Sequence, residues 1–113
     1  MFDFKNATFK PNVVRVELPE VNDFAFVREM AGTEADEYEA QQYEEGKAGT
    51  ALKYFRAKLV VRTLCDESGS LIYTLDDIEK VAAIPSTMLK RLHAAAQKVN
   101  KLRATDIKEL EKN

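Results

Sequence analysis

The two side chains best suited to covalent chemistry are the only cysteine and the only histidine of the chain, Cys65 and His93. A thiol becomes a strong nucleophile when a nearby base takes its proton, so these residues could form a nucleophile and base pair. Cys65 lies within an apolar helical stripe and His93 at the border of another, which is typical of an inert core thiol and a half-exposed imidazole. No third residue that would orient the histidine is evident. The sequence therefore predicts no enzyme.

Oxygen-bearing side chains between two predicted helices invite comparison with a calcium loop; they are Asp66, Ser68, Ser70 and Asp77. Such a loop has its sharp-turn glycine at position six and a glutamate at position twelve. Counted from Asp66, the glycine Gly69 is fourth and an aspartate is twelfth. We interpret the segment as a turn followed by a helix cap. One cysteine and one histidine cannot build a usual zinc site, and no glycine-rich phosphate loop is present, so no metal or cofactor is predicted.

Basic residues gather on one face of the helix predicted over residues 86–102, and such a face can meet phosphates. They are Lys90, Arg91, Lys98 and Lys101. The alternative is a solvated face, which the acidic helix predicted over residues 34–45 would complement. An acidic overall balance and the lack of interleaved aromatic residues favour the solvated face over nucleic-acid binding, which would be salt-sensitive.

The composition is that of one soluble domain spanning residues 1–113, with 45% apolar and 32% charged residues. No run approaches the ~20 apolar residues of a membrane helix, and no signal peptide is evident, so we expect the cytoplasm and no membrane contact. The single cysteine excludes an internal disulfide. Residues 1–46 carry a net charge of −7 and residues 47–113 one of +5. This asymmetry suggests that the halves attract each other or face different partners.

Residues 51–65 are predicted to form a central helix, because their apolar side chains fall in two stripes at helical spacing. One stripe contains Leu52, Phe55 and Leu59. The second stripe contains Tyr54, Ala57, Val60, Val61, Leu64 and Cys65. A helix that is apolar nearly all round belongs in an interior, and the basic residues between the stripes are expected to extend their charged heads to water. These basic residues are Lys53, Arg56, Lys58 and Arg62.

The rest of the chain surrounds this helix. Residues 1–12 are predicted to be an extended arm and residues 13–30 a β-hairpin, since apolar and polar residues alternate on both sides of a turn. Residues 33–113 are predicted to be helical, ending in a short helix over residues 106–112. The predicted fold class is mainly α with a small N-terminal β-hairpin (α+β), with about five helices around the central helix 51–65.

Three phrases of the sequence carry a family likeness. They are VREMAG at residues 27–32, LVVRTLCDESG at residues 59–69 and the closing DIKELEKN at residues 106–113. In this order, with a polar acidic helix after the first and a helix rich in Leu and Ala before the last, they resemble the small tail assembly chaperones of long-tailed bacteriophages. The likeness covers residues 13–113 and contains no catalytic signature.

The resemblance implies a non-enzymatic chaperone of the host cell cytoplasm that is absent from the mature virion. It would bind the tape measure protein, a long aggregation-prone helical rod, and keep it soluble while tail tube subunits assemble round it. Relatives of this kind are made in two forms by ribosomal frameshifting near the end of the shorter one. A structural tail or head-completion component and a small nucleic-acid-binding protein remain alternatives.

A chaperone for an amphipathic rod needs apolar surface, and a helix docked in a groove covers such a face. The candidates for binding the partner, or for self-association, come from the second stripe and the short apolar segment that follows it. They are Tyr54, Val61, Leu71, Ile72 and Tyr73. The alternative for each of these residues is a place in the internal core.

Overall fold

The computed structural model describes residues 1–102 and has an α+β fold, as the sequence predicts. Its strands are β1 (Val13–Leu18), β2 (Asp23–Arg28) and β3 (Leu64–Cys65). Its α-helices are α1 (Gly32–Ala48), α2 (Phe55–Thr63), α3 (Ile78–Ala82) and α4 (Ser86–Val99). The described part thus holds four helices where about five were predicted for the whole chain, and the predicted helix 106–112 lies outside it. No described helix is long and apolar enough to cross a membrane.

The predicted hairpin is confirmed, with β1 and β2 antiparallel and Val13 opposite Arg28. Its turn is a single 3-10 turn, Pro19–Val21, followed by Asn22 in the left-handed conformation that asparagine tolerates. Because side chains alternate across a strand, Val16 and Val27 face the helices, whereas Arg15 lies over the ring of Phe24 on the opposite face. The hairpin therefore closes one side of the core.

The central helix is shorter than predicted at both ends. Tyr54 has a φ of 53° and interrupts the helix, so residues 51–54 form a turn and α2 begins at Phe55. At the other end Leu64 and Cys65 leave the helix and pair with β2 as a third strand. The helical spacing of these residues concealed the strand, since an apolar pair fits either element. The prediction that residues 33–113 are helical is wrong at this strand.

Helix α2 lies at the centre of the fold, and every residue from Ala57 to Thr63 is buried. Helix α4 covers one side of it, and Leu92 and Ala96 on the apolar face of this amphipathic helix are buried. The other sides are closed by α3, β2 and α1, whose Tyr38 reaches the cluster around Leu59. This enclosure explains why the helix is apolar nearly all round.

Two basic side chains of α2 do not reach water, contrary to the prediction for this helix. Only 3% of the Lys58 side chain is exposed, and its Nζ donates to the carboxylate of Glu45 and, at 3.0 Å, to the carbonyl oxygen of Ala51. Arg62 donates from Nη2 to Oε1 of Gln41 at 2.6 Å. A buried charge needs an opposite charge or hydrogen bonds close by, and Glu45 and Gln41 of α1 provide them. These contacts attach α1 to α2.

We expect replacement of Gly69 by alanine to destabilise the fold more than the same change at Gly49. Both glycines have positive φ, 92° and 77°, where an alanine costs about 1 kcal/mol. Only at Gly69 would the added Cβ also lie 2.9 Å from Cγ of Pro11, whereas at Gly49 the space is open. Urea unfolding should show a loss for Gly69→Ala that exceeds that for Gly49→Ala by about 1 kcal/mol. Equal losses would contradict the close contact with Pro11.

Candidate partner-binding site

The segment that follows β3 is held against the sheet by a tight turn. Oδ1 of Asp66 accepts hydrogen bonds from the backbone N–H groups of Ser68 and Ser70 at 2.9 and 3.0 Å. Beyond the turn the backbone N–H of Ile72 donates to the carbonyl oxygen of Leu64 at 3.0 Å. These bonds fix the position of residues 71–74, which present apolar side chains beside α1 and α2.

This segment forms one wall of an open cleft of about 370 Å³, which we call the apolar cleft. The one-turn 3-10 helix Leu75–Asp77 continues the wall, held by Asp77, whose carboxylate accepts from the backbone N–H of Thr74 at 3.0 Å. The lining residues are Glu34, Glu37, Val61, Arg62, Leu71, Ile72, Tyr73, Thr74 and Leu75. The cleft combines an apolar wall with carboxylates of α1 on the opposite rim.

Four of the five predicted partner-binding residues meet at the apolar cleft. Leu71 and Ile72 are exposed by 38% and 55%, and Tyr73 is half-buried. Val61 is 1% exposed, so the prediction that it offers free surface is wrong, and it belongs to the core beneath the cleft. The structure does not bring Tyr54 to this place, since it borders a separate depression with Leu52. Which of these residues binds a partner stays a prediction.

The charges of the apolar cleft differ in how they are held. Arg28 donates to Glu34 at 2.6 Å, and Glu34 also accepts from the backbone N–H of Ala31 at 2.9 Å. Glu37 makes no ion pair with another described residue. Burial lowers the pKa of Arg62, although the side chain remains a cation close to the ring of Tyr38. Glu37 is thus the carboxylate of this rim that is most available to a basic partner group.

Sequence reasoning missed five members of the apolar cleft, which are Glu34, Glu37, Arg62, Thr74 and Leu75. Leu75 was not among the predicted partner-binding residues, and it is 53% exposed. Glu34 and Glu37 were predicted only as part of the acidic helix over residues 34–45. The acidic composition of α1 was a signal for a charged rim, but nothing in the sequence placed that rim opposite residues 71–75.

The four residues of the predicted basic face have different surroundings in the structure. Arg91 pairs with Glu20 in the hairpin turn, with Nη2 and Oε2 2.5 Å apart, and this bond raises the pKa of Arg91 and lowers that of Glu20. Lys98 and Lys101 line a groove beside β1, and Lys90 is exposed outside that groove. Arg91 therefore pairs with the hairpin turn, and not with the acidic helix that was suggested as the partner of this face.

The surroundings of Cys65 and His93 do not activate either side chain for covalent chemistry. Cys65 is buried in β3, and burial raises the pKa of its thiol. His93 is buried against the ring of Phe55, and this burial, with the nearby charge of Arg56, lowers its pKa to about 4. A thiol with a raised pKa and a histidine that resists protonation are poorly suited to a nucleophile and base pair. Across residues 1–102 no group of three or more His, Cys, Asp or Glu side chains is placed to hold a metal ion.

Comparison with known proteins shows similarity in both sequence and structure. A family profile described as phage tail assembly chaperone matches residues 10–113. Among solved structures, the chain is similar to that of the bacteriophage HK97 tail assembly chaperone, with a TM-score of 0.60 and 20% sequence identity. The match covers 88% of this chain and 91% of that chain, and at this identity it establishes the fold. No curated protein sequence matches the chain.

Proposed function

The chain belongs to the phage tail assembly chaperone family, and on that premise we propose that it binds the tape measure protein and keeps it soluble. Tail tube subunits would assemble round the tape measure protein while this complex holds it. The role is non-enzymatic and takes place in the host cell cytoplasm. The observation that carries the proposal is the apolar cleft, among whose lining residues Leu71, Ile72 and Leu75 are exposed.

The chemistry of the apolar cleft suits an amphipathic helix. A rod-like helical protein aggregates through its apolar stripe, and a groove with apolar walls can cover part of that stripe. Basic residues that flank the stripe would meet Glu37 and Glu34 on the rim of α1. We therefore expect the bound segment to be a helix with an apolar stripe flanked by Lys or Arg.

Co-expression with the tape measure gene of the same phage tests the proposal. The tape measure protein should appear in the soluble fraction and co-purify with this chain, and it should be insoluble when expressed alone. An insoluble tape measure protein that this chain leaves unaffected would overturn the proposal.

Introducing charge into the apolar cleft is expected to abolish this effect. The double substitution Ile72→Glu and Leu75→Glu places two carboxylates where an apolar stripe would lie, and should reduce the soluble tape measure protein at least about tenfold. Both residues are more than half exposed, so the fold should tolerate the change. The amount of soluble tape measure protein is the measurement.

Leu52 provides a matched control, because it is an exposed leucine that does not line the apolar cleft. The variant Leu52→Glu should hold the tape measure protein as well as the unmodified chain. If Leu52→Glu reduces the soluble tape measure protein as much as the double variant does, the effect comes from general surface hydrophobicity and the apolar cleft is not the site.

The remaining parts of the proposal concern whether the protein is present in the virion and whether a longer form of it is made. An assembly chaperone should be absent from purified virions, whereas a structural tail or head-completion component should be present in them, and mass spectrometry distinguishes the two. We also propose a longer form made by ribosomal frameshifting; an A-rich slippery stretch, which could encode Glu111, Lys112 and Asn113, would be visible in the gene sequence.

A further inference from the structure

A second groove follows the free side of β1. Within residues 1–102 the strand order of the sheet is β1-β2-β3, so β1 has a neighbouring strand on one side only in this part of the chain. The groove has a volume of about 600 Å³ and is lined by residues of β1 and α4. It therefore lies where a further strand would extend the sheet, and we call it the edge groove.

The backbone of β1 has hydrogen-bonding groups that face the edge groove. The N–H of Glu29 donates to the carbonyl oxygen of Asn12 at 2.8 Å, which fixes which residues of β1 bond to β2. Because hydrogen-bonded and non-hydrogen-bonded pairs alternate in an antiparallel ladder, Val13, Arg15 and Glu17 direct their N–H and C=O groups away from β2. No backbone group among residues 1–102 pairs with them on that side.

The side chains of the edge groove are apolar at the base and basic at the rim. Val99 is buried, Val14 and Ala95 are half-buried, and the three line the base. Lys98 and Lys101 lie on the rim and make no ion pair with any residue in the described part of the chain. The two arginines of the groove are already engaged with glutamates of the hairpin. Two cations thus remain for an acidic partner.

We propose that an extended, acidic segment of a partner protein binds in the edge groove by adding a strand to β1. Its backbone would satisfy the outward groups of Val13, Arg15 and Glu17, which gives affinity without a requirement for a particular sequence. Since successive side chains of a strand face opposite sides, apolar ones would cover Ala95 and Val99. Carboxylates would lie within reach of the long side chains on the rim.

A pair of substitutions at Glu17 separates strand addition from simple charge attraction. Both Glu17→Gln and Glu17→Pro remove a carboxylate from the groove, so charge alone predicts that an acidic peptide binds each more tightly. Proline also removes an N–H that faces the groove, whereas the bonds between β1 and β2 are retained because this N–H faces away from β2. The probe is a short synthetic peptide of alternating valine and glutamate, titrated against the full chain by fluorescence anisotropy.

We expect Glu17→Gln to bind the peptide roughly twofold to fivefold more tightly than the unmodified chain, and Glu17→Pro at least about tenfold more weakly. Reversal of both lysines, Lys98→Glu with Lys101→Glu, should weaken binding roughly tenfold, and less so at high salt. If Glu17→Pro binds as tightly as Glu17→Gln, or if the unmodified chain binds no peptide, the proposal is overturned. Tighter binding of a single-stranded oligonucleotide than of the peptide would also overturn it, in favour of a phosphate site.

Hydrogen exchange keeps the test decisive even if Glu17→Pro does not fold. In the unmodified chain, the amide protons of Val13, Arg15 and Glu17 should exchange quickly when free and slow down at least about tenfold when the peptide is bound. The amides of Val14 and Val16, which bond to β2, serve as internal controls because they are protected in both states. Unchanged exchange at the three outward amides would exclude strand addition.

Discussion

Replacement of Glu45 by alanine is expected to lower the free energy of unfolding by about 3 kcal/mol, because it leaves the ammonium group of Lys58 buried without its counter-charge. After the change only the carbonyl oxygen of Ala51 still accepts a hydrogen bond from that group. Chemical denaturation at neutral pH measures the loss. Helix α1 should become the first element to exchange its amide protons, since this ion pair attaches it to α2.

Glu44 is the matched control for this prediction. It is the neighbouring glutamate of α1, and it pairs with Lys47 at the surface, where such pairs contribute about 0.5 kcal/mol or less. A second variant, Lys58→Met combined with Glu45→Ala, should recover most of the stability because no buried charge remains. If Glu44→Ala and Glu45→Ala cost the same, the buried ion pair does not hold α1 in place.

The second large effect is a loss of stability in acid that depends on His93. Burial, with the charge of Arg56, lowers its pKa in the folded protein to about 4, whereas an unfolded histidine has a pKa of about 6.5. The stability that comes from the neutral imidazole is therefore fully present above pH ~6.5 and is lost as the pH falls toward ~4. Between pH ~7 and ~4.5 this one group should lower the free energy of unfolding by about 2.5 kcal/mol.

The variant His93→Gln should show a smaller loss over the same pH range. The comparison uses the pH dependence and not the stability at one pH, because glutamine also changes the packing against Phe55. The carboxyl groups of Asp66 and Asp77, whose pKa values are lowered by hydrogen bonds from Ser68 and from the backbone of Thr74, titrate in both proteins and cancel. Identical pH dependence in the two proteins would show that His93 is accessible to protons in the folded state.

Local patterns predicted much of this fold. The alternation of β1 and β2 and the amphipathic spacing of α4 identify their elements, because one face of each packs on the core and the other meets water. The third strand could not be predicted in the same way. Leu64 and Cys65 continue the helical spacing of α2, and only pairing with Phe26 and Val27 makes them a strand.

The candidate site was predicted in part. An apolar segment at residues 71–73, too short for a helix, indicated a surface patch, and it forms the wall of the apolar cleft. Val61 was misplaced because helical spacing shows that a residue is apolar but not which neighbours cover it. The position of the carboxylate rim depends on how α1 packs against α2, for example through the ion pair of Lys58 with Glu45, and helical periodicity within either segment does not predict that packing.

Photo-cross-linking in the co-expressed complex tests most directly whether the apolar cleft holds the tape measure protein. A photoreactive amino acid placed at Ile72 should form a covalent adduct with the tape measure protein, and one placed at Leu52 should not, although both positions are exposed. Mapping of the adduct should identify a helical segment with an apolar stripe flanked by basic residues. Adducts from Leu52 in the absence of adducts from Ile72 would contradict this account of how the chain recognises its partner.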